Sequence, residues 1–303
     1  MLTRIWAFLL VLVFAGDAAA EVRVVASIPA IGSIAQEVVG SHGSVTSLAP
    51  ATQDPHFVDG KPSMILTLNR ADLLLQAGLG LEAGWLPTLI VGSRNPSIQT
   101  GRKGNLDLST VAGALLEADG PLDRALGDVH PGGNPHYWLD PRRAPALADG
   151  IAARLAAIDP ENAASYRSNA ARFAAAVKER RAAWEAQFRP HRGRELVPFH
   201  RSLIYLQDWL GLGELAAVEP VPGISPSPSH LAGLILRIRE KESKPVVVSE
   251  PWYNLRTAET VASKGGARMV RLPGDVGSVA GKTSYLDHMD EILRRLRAGL
   301  EGK

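Results

Sequence analysis

The spacing of apolar residues along the chain changes period several times, and those changes predict its elements. Residues 22–27, VRVVAS, form a run rich in β-branched valine, the mark of a buried strand. Helical spacing follows over 31–39, with a turn at Gly40. The alternation continues with strands at 45–48 and 72–76, helices at 64–70 and 81–90, a weak strand at 97–99 and a helix over 141–158. Residues 115–134, dense in Gly, Pro and Asp, read as a loop. After residue 190 the plan repeats: strands at 195–198, 214–218, 246–249 and 268–272 alternate with helices at 202–210, 231–241, 257–264 and from the cap Ser284 to Leu300. Such alternation predicts an α/β protein of two lobes with mainly parallel sheets.

Residues 159–190 separate the halves and read as one long helix. Asp159 suits the N-cap, Pro160 the first turn and Glu161 the positive end of the helix dipole, while Pro190 stops the run. Tyr166, Ala170, Phe173, Val177, Trp184 and Phe188 form one apolar stripe. At 1.5 Å per residue the helix would span roughly 44 Å, long enough to bridge two lobes as a rigid backbone. The expected divisions are therefore a leader at 1–20, a first lobe at 21–158, the linking helix at 159–190 and a second lobe at 191–303.

The leader follows from Arg4, an apolar run from Ile5 to Ala15, and Ala18 and Ala20 placed for cleavage before Glu21. That pattern is a secretory signal, too short to span a bilayer. The chain has no cysteine, which removes disulfides and a lipid-modified cysteine and leaves a periplasmic protein as the simplest outcome. Lys and Arg number 33 against 31 Asp and Glu, a net charge of +2, and no basic stretch interleaves with aromatics, so nucleic acid is not an expected partner.

Three histidines share one setting: His56 in QDPHF, His136 in GNPHYWLDP and His200 in VPFHRS. Each lies between a strand or loop and a helix, at the rim where ligands bind in open α/β sheets. Singly, each could do no more than close a turn. Together, two from the first half and one from the second suggest one metal between the lobes. His42, His191 and His288 sit in polar contexts and read as solvated, whereas His130, in DVHPGG, is a candidate for transient metal contact.

The segments DPHF, GNPHYWLDP, PFHRSLIYL and GKTSY resemble the metal-binding receptors of bacterial zinc and manganese ABC importers. The resemblance covers essentially the whole chain after the leader. It implies two α/β lobes bridged by one rigid helix, and one metal held by a residue from each of four loops. Carried over, the ligands are His56, His136, His200 and an acidic residue in the loop 273–281. It further implies a soluble monomer, the membrane permease of an ABC importer as partner, and a periplasmic metal-donor protein as a second candidate partner. The chain departs from the family in FVDGKPSM after His56, in lacking a His-rich loop and a cysteine pair, and in a loose match around the acidic ligand.

Asp275, in LPGDVGS past the last strand, is the expected fourth ligand, with Glu250 after VVVS its rival. Three imidazoles and a carboxylate suit tetrahedral zinc, one ion per chain carried as transported cargo, with manganese the alternative. A zinc hydrolase would use the same histidines with water in the open position and Asp275 as base, but HExxH, GxSxG and P-loop patterns are absent. A receptor for a chelated solute is the remaining alternative.

Overall fold

The structure is a computed structural model that describes residues 21–116, 130, 132–221 and 223–302, so the predicted leader and most of the loop at 115–134 lie outside it. The first half runs β1 (Val22–Ala26), α1 (Pro29–Val39), β2 (Gly43–Ser47), α2 (Pro62–Asn69), β3 (Leu73–Gln76), α3 (Leu86–Ser93), β4 (Asn105–Asp107) and α4 (Ala144–Ile158). After α5 (Ala163–Phe188) come β5 (Glu195–Pro198), α6 (Ile204–Leu210), β6 (Gly213–Glu214), α7 (Pro228–Glu240), β7 (Val246–Ser249), α8 (Leu255–Gly265), β8 (Arg268–Arg271) and α9 (Tyr285–Glu301). The strands form two sheets ordered β2-β1-β3-β4 and β6-β5-β7-β8, parallel throughout. Both halves thus use one topology, as the α/β reading predicts, and both send their loops out past the carboxyl ends of the strands. Among the described residues no helix is long and apolar enough to cross a membrane.

Several boundaries differ from the sequence reading. The fourth strand of the first sheet is Asn105–Asp107 rather than 97–99, because NLD pairs with Leu74–Gln76 although two of its three side chains are polar. Turns occupy 81–85 and the helix begins at Leu86. In the second sheet only Gly213–Glu214 pairs as strand. Asp159 stands at the N-cap of a 3-10 turn, Pro160–Asn162, that precedes α5; its carboxylate accepts from Asn162 Nδ2 at 2.8 Å and from the Tyr166 hydroxyl at 2.5 Å.

All six stripe residues of α5 are buried. The helix packs against α1 and α4 of the first half and α9 of the second. Polar bonds fix both ends: Asn169 Nδ2 donates to Val38 O at 2.9 Å, Trp184 Nε1 donates to Asp290 Oδ1 at 2.7 Å, and Arg180 pairs with Asp290. One apolar core runs from α1 through α5 to α9, while a smaller one fills the far face of the second sheet. The halves also bond directly, Tyr285 N to Ser33 Oγ at 2.7 Å and Tyr285 Oη to Trp138 O at 2.7 Å.

Candidate metal site

Local sequence builds the first two positions by one device. In Asp54-Pro55-His56 the Asp54 Oδ1 accepts the His56 backbone N–H at 3.0 Å and its ring Nδ1 at 2.7 Å. In Asn134-Pro135-His136 the Asn134 Oδ1 does the same, at 2.9 Å for both. An oxygen that accepts the backbone N–H is an acceptor, so each Nδ1 carries the ring proton and each Nε2 presents a lone pair. His200, directly after β5, gets the same treatment from a different loop: Glu219 Oε2 lies 3.1 Å from its Nδ1.

The loops are held from behind. Tyr137, fully buried, donates its hydroxyl to Ala77 O at 2.6 Å, the Trp138 ring lies 5.3 Å from that of His136, and buried Asp140 accepts from the Arg142 backbone and guanidinium at 2.9 Å. Asn134 Nδ2 donates to Arg201 O across the halves at 2.9 Å, and Tyr253 stacks on both Phe199 and His200.

The result is a buried cluster of His56, His136 and His200, whose ligand atoms lie within 4.8 Å of one another and whose ring centroids stand 5.1 to 5.4 Å apart. Among the described residues His56 Nε2 is buried without a hydrogen-bond partner, a costly arrangement unless something else takes its lone pair. Burial first, then repulsion from His56, His200 and His130, holds His136 well below the usual histidine range, so it stays neutral. Burial alone would raise the Asp54 carboxyl, but bonding and charge from His56 outweigh it and hold it low. Acidic side chains, Asp54 and Glu219, thus stand behind the rings of His56 and His200, and an amide, Asn134, stands behind that of His136.

Asp275 lines the same cavity as His56 and His136, together with Glu250 and His288, but it is not in the group of converging ligand atoms. Its Oδ1 accepts the Val276 N–H at 2.6 Å, and desolvation, partly opposed by bonds from Val276 and Ala30, pushes its carboxyl up to about 6. Glu250 accepts the Ser202 hydroxyl, and burial, with the charges of Asp54 and Glu219 adding, raises it to about 7. His288, read as solvated, is buried on the inner face of α9; burial, aided by Arg295 and opposed by Glu291, lowers it to about 4. His130 is also buried, its ring 5.4 Å from that of His56. The sequence reading missed Asp54, Asn134 and Glu219. The repeated [DN]-P-H tripeptide was a signal for the first two, whereas Glu219, 19 positions from His200, had none.

A family model described as zinc-uptake complex component A, periplasmic, matches residues 24–299. The high-affinity zinc uptake system protein ZnuA of Paracoccus denitrificans is 32% identical over 248 residues, 74% of this chain and 75% of that protein. The manganese-binding lipoprotein MntA of Halalkalibacterium halodurans is 24% identical over 286 residues, 92% of this chain and 88% of that one. Among solved structures, a crystal structure of ZnuA superimposes with a TM-score of 0.75 at 24% identity, covering 92% of this chain and 99% of its own. The Mn-bound periplasmic metal binding protein from Candidatus Liberibacter asiaticus gives 0.74 at 24% identity over 92% of this chain and 100% of its own. These structural likenesses concern the fold.

Proposed function

Because the chain belongs to the family of periplasmic component A proteins of zinc-uptake complexes, we propose that it is an exported receptor that captures one divalent transition metal, zinc, and delivers it to the permease of an ABC importer. Residues 21–158 and 191–303 serve as its two lobes, with 159–190 linking them, and the leader at 1–20 directs export. The metal is cargo, a substrate of transport, and the family is one of solute-binding receptors rather than enzymes.

The observation that carries this reading is the cluster of three buried histidines, each with its Nδ1 engaged and its Nε2 left to ligate. Nitrogen donors favour zinc over manganese, which prefers oxygen. Tetrahedral zinc takes a fourth donor. Asp275 is the carboxylate expected there, and with its Oδ1 accepting the Val276 N–H it still has lone pairs for a metal. Elemental analysis and native mass spectrometry of protein purified without added metal test the function: one zinc per chain is expected, lost in His136→Ala. Metal-free protein that takes up no zinc at micromolar concentration overturns it.

A further inference from the structure

Resting on the metal-receptor reading, we propose that Tyr205 is a positioning residue for the metal site: from the second half, its hydroxyl fixes Asn134 and so sets His136 against His200. Those two rings stand 5.4 Å apart and come from different halves. A metal that bonds to both needs their spacing held to about 0.5 Å. His200 lies just before the 3-10 turn Arg201–Leu203, which runs straight into α6. Tyr205 is the second residue of α6 and is fully buried. Its hydroxyl donates to Asn134 O at 2.8 Å and accepts from Leu116 N at 3.0 Å. A carbonyl only accepts and an amide N–H only donates, so both roles of the hydroxyl are fixed. Leu116 and Asn134 are themselves joined, Asn134 N to Leu116 O at 3.0 Å. One oxygen of the second half therefore holds two segments of the first.

Asn134 carries that hold to the ligand. Its Oδ1 takes the backbone N–H and ring Nδ1 of His136, and its Nδ2 donates to Arg201 O. With the bonds to Tyr205 and Leu116, every polar group of Asn134 is engaged. The side chain has no freedom left to turn, and the His136 ring turns only if it does.

The ring of Tyr205 is seated as firmly as its hydroxyl. The Arg143 guanidinium lies over it, 4.7 Å from the ring centroid, and is aimed there by Ala112 O, which accepts from Nη1 at 2.8 Å, and by buried Asp140, 3.4 Å from Nε. One turn further along α6, Asp208 pairs with Arg142 at 2.5 Å. The helix that begins just after His200 is thus bound to the first half on both sides of His136, at Asn134 before it and at Arg142 and Arg143 after it. Tyr166 shows the contrast: its hydroxyl donates to Asp159 at 2.5 Å, a bond that leads to no ligand.

The test compares wild type, Tyr205→Phe and Tyr166→Phe by zinc affinity in chelator competition and by the visible spectrum of the cobalt(II)-substituted proteins. Phenylalanine keeps the ring beneath Arg143 and removes only the hydroxyl. Tyr205→Phe is expected to lose about tenfold in affinity and to change the cobalt spectrum, which a loss of folding stability alone would not move; Tyr166→Phe changes neither. Because coupling is reciprocal, zinc should also slow amide hydrogen exchange at Leu116 in wild type. Wild-type affinity or a wild-type spectrum in Tyr205→Phe overturns the proposal, as do equal changes in Tyr166→Phe. Should Tyr205→Phe fail to fold, exchange at Leu116 that zinc leaves unchanged overturns it instead. If wild type binds no zinc, the receptor reading itself fails, a separate outcome.

Discussion

Replacing Glu250 with glutamine should stabilise the metal-free protein, and by an amount that depends on pH. Glu250 is 6% exposed, and burial, with Asp54 and Glu219 adding, raises its carboxyl from 4.5 to about 7. A raised folded-state value means the group's contribution is fully present below about 4.5, where the acid is neutral in both states. It is lost as pH rises through about 7, because charging it inside the fold costs more than charging it in the unfolded chain. That separation, at ~1.4 kcal/mol per pH unit, comes to about 3 kcal/mol. Glutamine has nearly the same shape, its amide oxygen still accepts from Ser202, and it does not ionise. The melting temperature of Glu250→Gln should therefore exceed that of wild type by roughly 6 °C at pH 8, with little difference at pH 4.5. Thermal melts followed by circular dichroism in chelator, from pH 4.5 to 8, measure the gap. A gap that does not change with pH, or a variant less stable than wild type at pH 8, would refute the reasoning, since the carboxylate would then be ionised at no cost.

Zinc affinity should be lower at pH 5 than at pH 8, because protons compete with the metal for ligating rings; His136, held well below the usual histidine range, should add little to the proton count, and equal affinity at pH 5 and 8 would count against an imidazole site. Asp54→Ala should weaken zinc binding about 10- to 100-fold. Asp54→Asn should cost less, since Asn134 already does the same task for His136; wild-type affinity in the alanine variant, read by chelator competition, would contradict the orienting role. Small-angle scattering should show little change in radius of gyration between metal-free and metal-bound protein, because one core joins α1, α5 and α9; a large closure would mean that core does not hold the halves together.

The legible parts of the fold were those where burial imposes a pattern on the sequence. Val246–Ser249 is buried at every position and Val22–Ala26 at all but Arg23, and both read as valine-rich runs, while α5 carries its stripe openly. Asn105–Asp107 was missed because an edge strand three residues long needs only backbone pairing with β3, which leaves no periodicity to read. At the site, the histidines announced themselves by type and by the DPH and NPHYWLDP segments. Their orienting partners were less visible: Asp54 and Asn134 act at short range but look like turn residues, and Glu219 reaches His200 from the next loop. Asp275 drew notice because Pro-Gly-Asp follows the last strand; it lines the same cavity as His56 and His136, and one of its oxygens takes the Val276 N–H.

A receptor must also let its ion go, and the division of ligands between the halves supplies a route that needs no large motion. His56 and His136 ride on loops of the first sheet, whereas His200 follows β5 in the second and is oriented by Glu219 of that same half. Zinc–nitrogen bonds are about 2.0 to 2.1 Å long, so a displacement of one or two ångströms between His200 and the other pair breaks a bond outright. The continuous core and the bonds from Tyr285 to Ser33 and Trp138 oppose wide opening, but Arg201, next to His200, is tied to the first half by Asn134 Nδ2. Any pull on the Asn134 loop therefore reaches two histidines at once: His136, whose Nδ1 rests on the same Asn134 side chain, and His200 through its neighbour. Asn134→Ala removes both ties, so it should speed zinc transfer to a chelator in stopped-flow measurements by more than Asp54→Ala does. Equal rates in the two variants would show that His136 and His200 are not coupled through this side chain.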